Sequence, residues 1–247
     1  MQKNSVLKSK SIFFIVIAFI YISLFEFILP VNKILPKPSL LFESFFSIWP
    51  VYDLFIAFAI TTTVVYLSLA AGYLLLILKS RYIIMAAYEF ANSVDTLKLF
   101  RYFPPFFVAI LFTFWFRDSI AAEALFGLLT VLFILGNKLF VESKNARQEY
   151  LLVGQNLTLS KNEIYSKIIW KSVEPKVFGE LTRAHYFLWI IIMIYEFISN
   201  IQGFGGVYRS ALLYNDFSAL IAIAIFISII IWLGNLVIKA IGNKIFF

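Results

Sequence analysis

A catalyst, a metal centre or a redox site needs particular side chains, and this sequence supplies few of them. It has no cysteine and a single histidine, His185, which removes thiolate nucleophiles, disulfides and Cys/His metal sites from consideration. A lone imidazole without a nucleophile partner is expected simply to be a hydrogen-bonded histidine at the membrane interface. No G-x-x-x-x-G-K-[ST] phosphate loop occurs, because Gly136-Asn137-Lys138 and Gly242-Asn243-Lys244 lack the required order. Gly203-Phe204-Gly205-Gly206 is no dinucleotide fingerprint either, since it lies between two long apolar segments. The expectation is therefore no catalytic residue, no metal and no cofactor bound by this chain, and no enzyme activity of its own.

What remains are polar groups inside apolar sequence. Glu26 and Glu196 are read as the acids within apolar spans. A carboxylate in hydrocarbon is costly unless paired, so each is a candidate for function. Both fall near the outer ends of their segments, where a bond to a neighbouring helix or to headgroups is the simpler role. Thr61-Thr62-Thr63 sits inside another span, where hydroxyls either bond the helix backbone or line a pathway. Asp95, Lys98 and Arg101 recur every three residues and so share a helix face, as a salt-bridge cluster or a contact surface. Glu196, Gly203, Gly205 and the three threonines are the candidates for a pathway or gate.

The elements that must position these residues follow from composition. Of 247 residues 62% are hydrophobic and 14% charged, against roughly a quarter charged in a soluble domain. The chain is thus an all-α integral membrane protein, read as one domain over 1–247. Apolar runs place six spans at about 12–29, 54–78, 102–116, 121–139, 177–198 and 217–241. The first is an uncleaved helix, since no A-x-A site follows it. A short surface helix is expected over Ser39–Ile48 with Ser39 as its N-cap, and an outer loop over Ser199–Asp216. Of the 21 Lys and Arg, only Lys33, Lys37, Arg117 and Arg209 fall in outer segments under this topology. The other 17 fall in cytoplasmic ones, which sets both termini inside by the positive-inside rule. The net charge of +7 is explained by this orientation, and no nucleic acid partner is implied.

Between the fourth and fifth spans lies a polar stretch at 144–175. Leu157, Ile164, Tyr165, Ile168 and Ile169 recur near a helical period, with Lys161, Glu163, Lys167 and Lys171 between them. This predicts an amphipathic helix at the cytoplasmic surface, one face on the membrane domain and one towards a partner.

The same stretch resembles the "EAA" coupling loop of permease subunits of bacterial ABC importers, most like the nitrate/sulfonate/taurine type. That pattern runs E-A-A-x-x-L-G-A-S-x-x-x-x-F-x-x-V-x-L-P-x-x-x-P, followed by A-E-M and G-L-G. Leu157, Ser160, Tyr165, Ile168 and Pro175 fall on matching or similar positions, as do Tyr195-Glu196-Phe197 and Gly203-Phe204-Gly205. Leu35-Pro36-Lys37-Pro38-Ser39 resembles the family's L-P-x-P-S, Phe25-Glu26 its W-E, and Arg101 to Pro105 its R-P-x-P-P. The chain departs at Leu152 for the motif glutamate, Thr158 for its glycine and Lys171 for its first proline. Without glycine, the turn at 158 is expected to lose its positive φ.

The resemblance implies the type I importer permease fold in the bacterial cytoplasmic membrane. It also implies a second permease subunit, identical or not, ABC ATPase subunits carrying ATP and Mg, an extracytoplasmic solute-binding protein, and a small solute such as a sulfonate or nitrate. On the coupling loop it points to Leu157, Ser160, Lys161, Ile164, Tyr165 and Lys167 as the ATPase contacts. The alternative is an atypical partner subunit that completes a complex without transporting. A secondary transporter fits less well, because the span centres are nearly free of charge.

Overall fold

The computed structural model describes residues 12–13, 15–29, 35–89, 105–116, 119–146, 148–199 and 201–246. All regular structure among them is helical: α1 (Ile15–Ile28), α2 (Pro38–Val51), α3 (Leu54–Glu89), α4 (Pro105–Trp115), α5 (Ile120–Lys144), α6 (Gln148–Asn156), α7 (Lys161–Ile198), α8 (Phe204–Leu213) and α9 (Phe217–Phe246). The Asp95/Lys98/Arg101 face and Pro104 lie outside the described residues.

Among the described residues, four helices are long and apolar enough to cross a membrane: α3, α5, α7 and α9, with 36, 25, 38 and 30 residues. Two shorter apolar helices accompany them, Ile15–Ile28 and Phe106–Trp115. The 11 residues of α4 rise only about 16 Å, half a hydrocarbon core.

Helix ends differ from expectation wherever the chain leaves the apolar run. α3 continues past Leu78 to Glu89, because Lys79 and Arg81 are good helix formers and no proline or glycine interrupts them. Arg81 lies over the Tyr82 ring, 4.5 Å from its centroid, which shelters its stem while the charge stays in water. α7 includes the polar run from Lys161, with a wide π turn at Ile164–Ile169 and an α-helix from Trp170 through Pro175 to Ile198. Its entry into the apolar run is therefore not a break at 177. α9 likewise extends beyond 241 to Phe246. The region expected as an outer loop holds α8.

Chain packing forms two units, Met1–Phe55 with Val207–Ser228 and Ile56–Gly206 with Ile229–Phe247. In the first, α2 begins at Pro38 with Lys37 as N-cap. Ser39, expected as the cap, instead gives its N–H to Glu26 Oε2 at 3.1 Å and its hydroxyl to Oε1 at 3.0 Å. Glu26 thus supplies the acceptor for the start of α2, the structural role anticipated for it. Asp216 accepts from Ala219 N–H at 3.0 Å, capping α9, and from Tyr52 Oη at 3.0 Å. Burial, then that hydrogen bond, push the Tyr52 hydroxyl up to about 12.

In the second unit, α5 lies along α7. The buried stripe of α5 runs Ala122, Glu123, Phe126, Gly127, Val131, Leu135, Leu139 and Ser143, close to one residue per turn. Small residues bring α3 against α5. A Cβ on Gly127 would meet Ser68 Cβ at 3.1 Å, and Ser68 donates to the Ala124 carbonyl at 3.1 Å. Lys176–Glu142 at 2.8 Å and Lys138–Glu180 at 3.9 Å tie the last turns of α5 to α7.

Candidate functional site

Three polar stations lie along α7. At its C-terminal end, Glu196 is fully buried. Thr61 of α3 donates its hydroxyl to Glu196 Oε1 at 2.6 Å. Gly205 donates its N–H to Oε2 at 2.7 Å. Phe204 N–H in turn donates to Thr61 Oγ1 at 2.9 Å. The first N–H groups of a helix have no partner within it, and here they turn on one carboxylate, directly or through Thr61. Glu196 thereby ties the end of α7, the N-terminal part of α3 and the start of α8 together, with the helix dipole of α8 favouring its charge.

The glycines explain how the chain comes this close. A Cβ on Gly203 would collide with the Glu196 carboxyl, and one on Gly205 with the Met193 carbonyl and, at 2.8 Å, with Glu196 Cβ. No described glycine has a positive φ. Gly203 and Gly205 are therefore required for close approach and not for a flexible turn. Of the three threonines only Thr61 enters this site. Thr62 bonds the Phe58 carbonyl of its own helix and Thr63 is exposed. Consecutive helical residues point about 100° apart, so one of three was bound to face inward.

Sequence reading missed the partner acid. Glu123, in the first turn of α5, is fully buried, and its carboxyl faces that of Glu196. Neither of its oxygens completes a hydrogen bond of ordinary geometry. The count of two acids within spans is corrected accordingly: Glu123 lies inside the fourth expected span and Glu180 inside the fifth. The signal was present, an acid inside an apolar run. It was masked because an acid just after an N-cap serine is ordinary in a solvated helix, and Ser119 does cap α5, accepting from Ala122 N–H at 3.1 Å. Their chain neighbours Ala122 and Tyr195 belong to an apolar cluster with Ala109, Phe112, Phe126 and Ile191, the Phe126 and Tyr195 rings stacked at 5.4 Å.

In the middle of α7, His185 is buried. Trp189 donates its indole N–H to His185 Nε2 at 2.9 Å. An indole can only donate, so Nε2 carries no proton and Nδ1–H donates to Asn235 Oδ1 at 3.1 Å. The Tyr66 ring stacks on the imidazole at 5.5 Å, and Gly234 leaves room for both. His185 is thus a neutral hydrogen-bonded histidine; its hydrogen bonding is as expected, but it is fully buried and not at the interface, and no described group of three His, Cys, Asp or Glu could hold a metal.

The third station is the N-terminal segment of α7. Ser160 N-caps it in a capping box, its hydroxyl accepting from Glu163 N–H at 3.4 Å and its N–H donating to Glu163 Oε2 at 3.2 Å. Lys167 pairs with Glu163 at 2.9 Å. Ile164, Tyr165 and Ile169 are buried, with Tyr165 stacked on Tyr88 at 5.6 Å, while Leu157, Ser160, Lys161 and Lys167 are exposed. The six residues singled out for coupling therefore divide: two anchor the segment and four face outward. Thr158 corrects another expectation, for it keeps a positive φ of 53° without being glycine. On α6, Gly154 admits Ile164 and Ile168 against its backbone.

Residues 95–245 match the family described as binding-protein-dependent transport system inner membrane component. The chain belongs to this family. It is a multi-pass transmembrane permease of the ABC transporter class. No curated protein sequence matches it. The match takes in all of α5 to α8 and most of α9, and so Glu123, Glu196, the glycines and the Ser160 segment of the permease. Thr61 lies outside it.

Proposed function

We propose that this permease is the pathway-forming transmembrane subunit of an importer for a small solute, of the nitrate/sulfonate/taurine type, in the bacterial cytoplasmic membrane. It crosses six times as one domain with both termini inside, and pairs with a second permease subunit. ATP and Mg act on partner ATPases, and an outer binding protein delivers the solute. Closure of the ATPases moves the Ser160–Lys171 segment, and that movement exposes the pathway to one side and then the other. The Thr61–Glu196–Gly205 latch forms part of the outer gate.

The observation that carries this reading is the two-sided segment. Leu152, Val153 and Leu157 are exposed aliphatics beside the exposed Lys161 and Lys167. Apolar side chains with cations at their edge, outside the apolar spans, are what a docked subunit would cover. The six-span count rests on the apolar runs 12–29 and 102–116, of which α1 and α4 are the described helical parts. The alternative, a partner subunit that completes a heterodimer without transporting, is favoured by Leu152 standing where the motif has glutamate.

Replacing Leu157 and Lys161 together by Asp tests the docking face without disturbing a buried residue. ATPase copurified in mild detergent should fall at least tenfold while the permease stays folded. Undiminished copurification would sink the coupling role. Recovery of a second, different permease with the ATPase would favour the heterodimer.

A further inference from the structure

The two buried carboxyls are not equivalent. Glu196 receives a donor on each oxygen, the Thr61 hydroxyl and the Gly205 N–H, and faces a helix N-terminus. Glu123 receives none, though it is fully buried. From α7 the titratable group facing Glu123 is Glu196. Ala109 and Phe112 of α4 pack in one apolar cluster with Ala122, the chain neighbour of Glu123. No described lysine, arginine or histidine pairs with either acid.

A carboxylate buried without donors or a cation is the costly form, and two charged carboxyls side by side are costlier still. One proton removes both penalties. An acid O–H on Glu123 can point at Glu196, while Glu196 retains its charge for the two donors and the α8 terminus. A metal ion would need more oxygen ligands than two carboxylates, and no third acid or histidine stands nearby among the described residues.

We propose that Glu123 and Glu196 form a proton-binding site in which Glu123 carries the proton and Glu196 the charge, and whose deprotonation releases the latch on α8. Loss of the Glu123 proton leaves two negative charges in one apolar cluster. Repulsion then drives Glu196 away from Thr61 and Gly205, and the first turn of α8 loses its acceptor. The proton site stands on this chain's geometry alone. Its effect on transport rests on the gate reading above.

Infrared spectroscopy of the full-length permease in lipid nanodiscs, with its partners bound, reads the proton directly. A carbonyl band of a buried, protonated carboxylic acid is expected at neutral pH and should vanish in Glu123→Gln. Absence of the band in the parent protein would overturn the site, and metal found by elemental analysis would then replace the proton. Hydrogen exchange reads the latch. After correction for intrinsic rates, protection of the 201–206 amides should fall at least tenfold as pH is raised in the parent. It should hold steady in Glu123→Gln, which is neutral at every pH. Equal loss of protection in both would overturn the latch. A solute-uptake assay separates the readings: band and exchange as expected, with uptake unaltered in Glu123→Gln, would leave the proton latch standing and remove Glu196 from the gate.

Discussion

The two ends of α7 handle polar groups in opposite ways. At the C-terminal end Glu196 is sealed from water and its donors come from its own chain. At the N-terminal end the capping box and the Glu163–Lys167 pair lie in the open, held by buried Ile164, Tyr165 and Ile169 beneath. A buried carboxylate is sensitive to every missing donor, because each leaves an unpaired group in low dielectric. An exposed one is nearly indifferent, because water replaces what is lost. One end is therefore built to hold a fixed arrangement or give it up abruptly. The other keeps its surface free for another chain. The His185 station lies between these extremes, buried like Glu196 but neutral.

The largest expected effect breaks the buried end. Glu196→Ala leaves the Thr61 hydroxyl and the Gly205 N–H without an acceptor, and should cost about 3–5 kcal/mol. Thermal unfolding of the purified permease should show it as a large drop in midpoint or as failure to accumulate. A loss below about 1 kcal/mol would mean that water reaches the site and the latch is not sealed. His185→Leu should cost less, about 1–3 kcal/mol, because it strands two neutral groups, the Trp189 N–H and Asn235 Oδ1. Here the contrast sharpens. The double variant His185→Leu/Asn235→Leu removes both partners of that bond and should recover part of the loss, as neutral networks replaced by apolar packing do. No recovery would indicate that the imidazole does more than set the register of α7 against α9.

Much of this is legible in the amino-acid sequence. Apolar length locates the long helices, and the family resemblance brings Glu196, Gly203 and Gly205 into one candidate site at the right spacing. What sequence does not supply is direction. Glycine reads alike whether it serves a turn or a close approach, and only the position of Glu196 against Gly203 and Gly205 decides for approach. Thr61, Thr62 and Thr63 are indistinguishable until the helix is rotated into place. Glu123 has the look of a solvated first-turn acid, because nothing local says that α4 and α7 will bury it. The continuation of α3 past Leu78 to Glu89 and of α9 past 241 to Phe246 escapes for a different reason. Beyond the membrane a helix continues by propensity and capping, and an apolar run carries no information about either.

The smallest expected effect concerns the exposed end, and it is a gain. Thr158 sits at φ 53°, a region that costs an L-residue about 1–2 kcal/mol and a β-branched one at least that. Its hydroxyl recovers a little by donating to the Leu157 carbonyl at 2.8 Å, in a position where water could do the same. Thr158→Gly removes the strain but adds freedom to the unfolded chain, worth about 0.5–1 kcal/mol. The balance is a stabilisation of roughly 0.5–1 kcal/mol, readable as a small rise in unfolding midpoint. Thr158→Ala keeps the strain and loses the hydroxyl, so it should give no such rise. If both variants behave alike, the turn before Ser160 is not held in this conformation in solution. The segment would then adopt its outward face only when a partner subunit binds, and the contrast between a fixed end and a presented end of α7 would become one between a fixed end and an induced one.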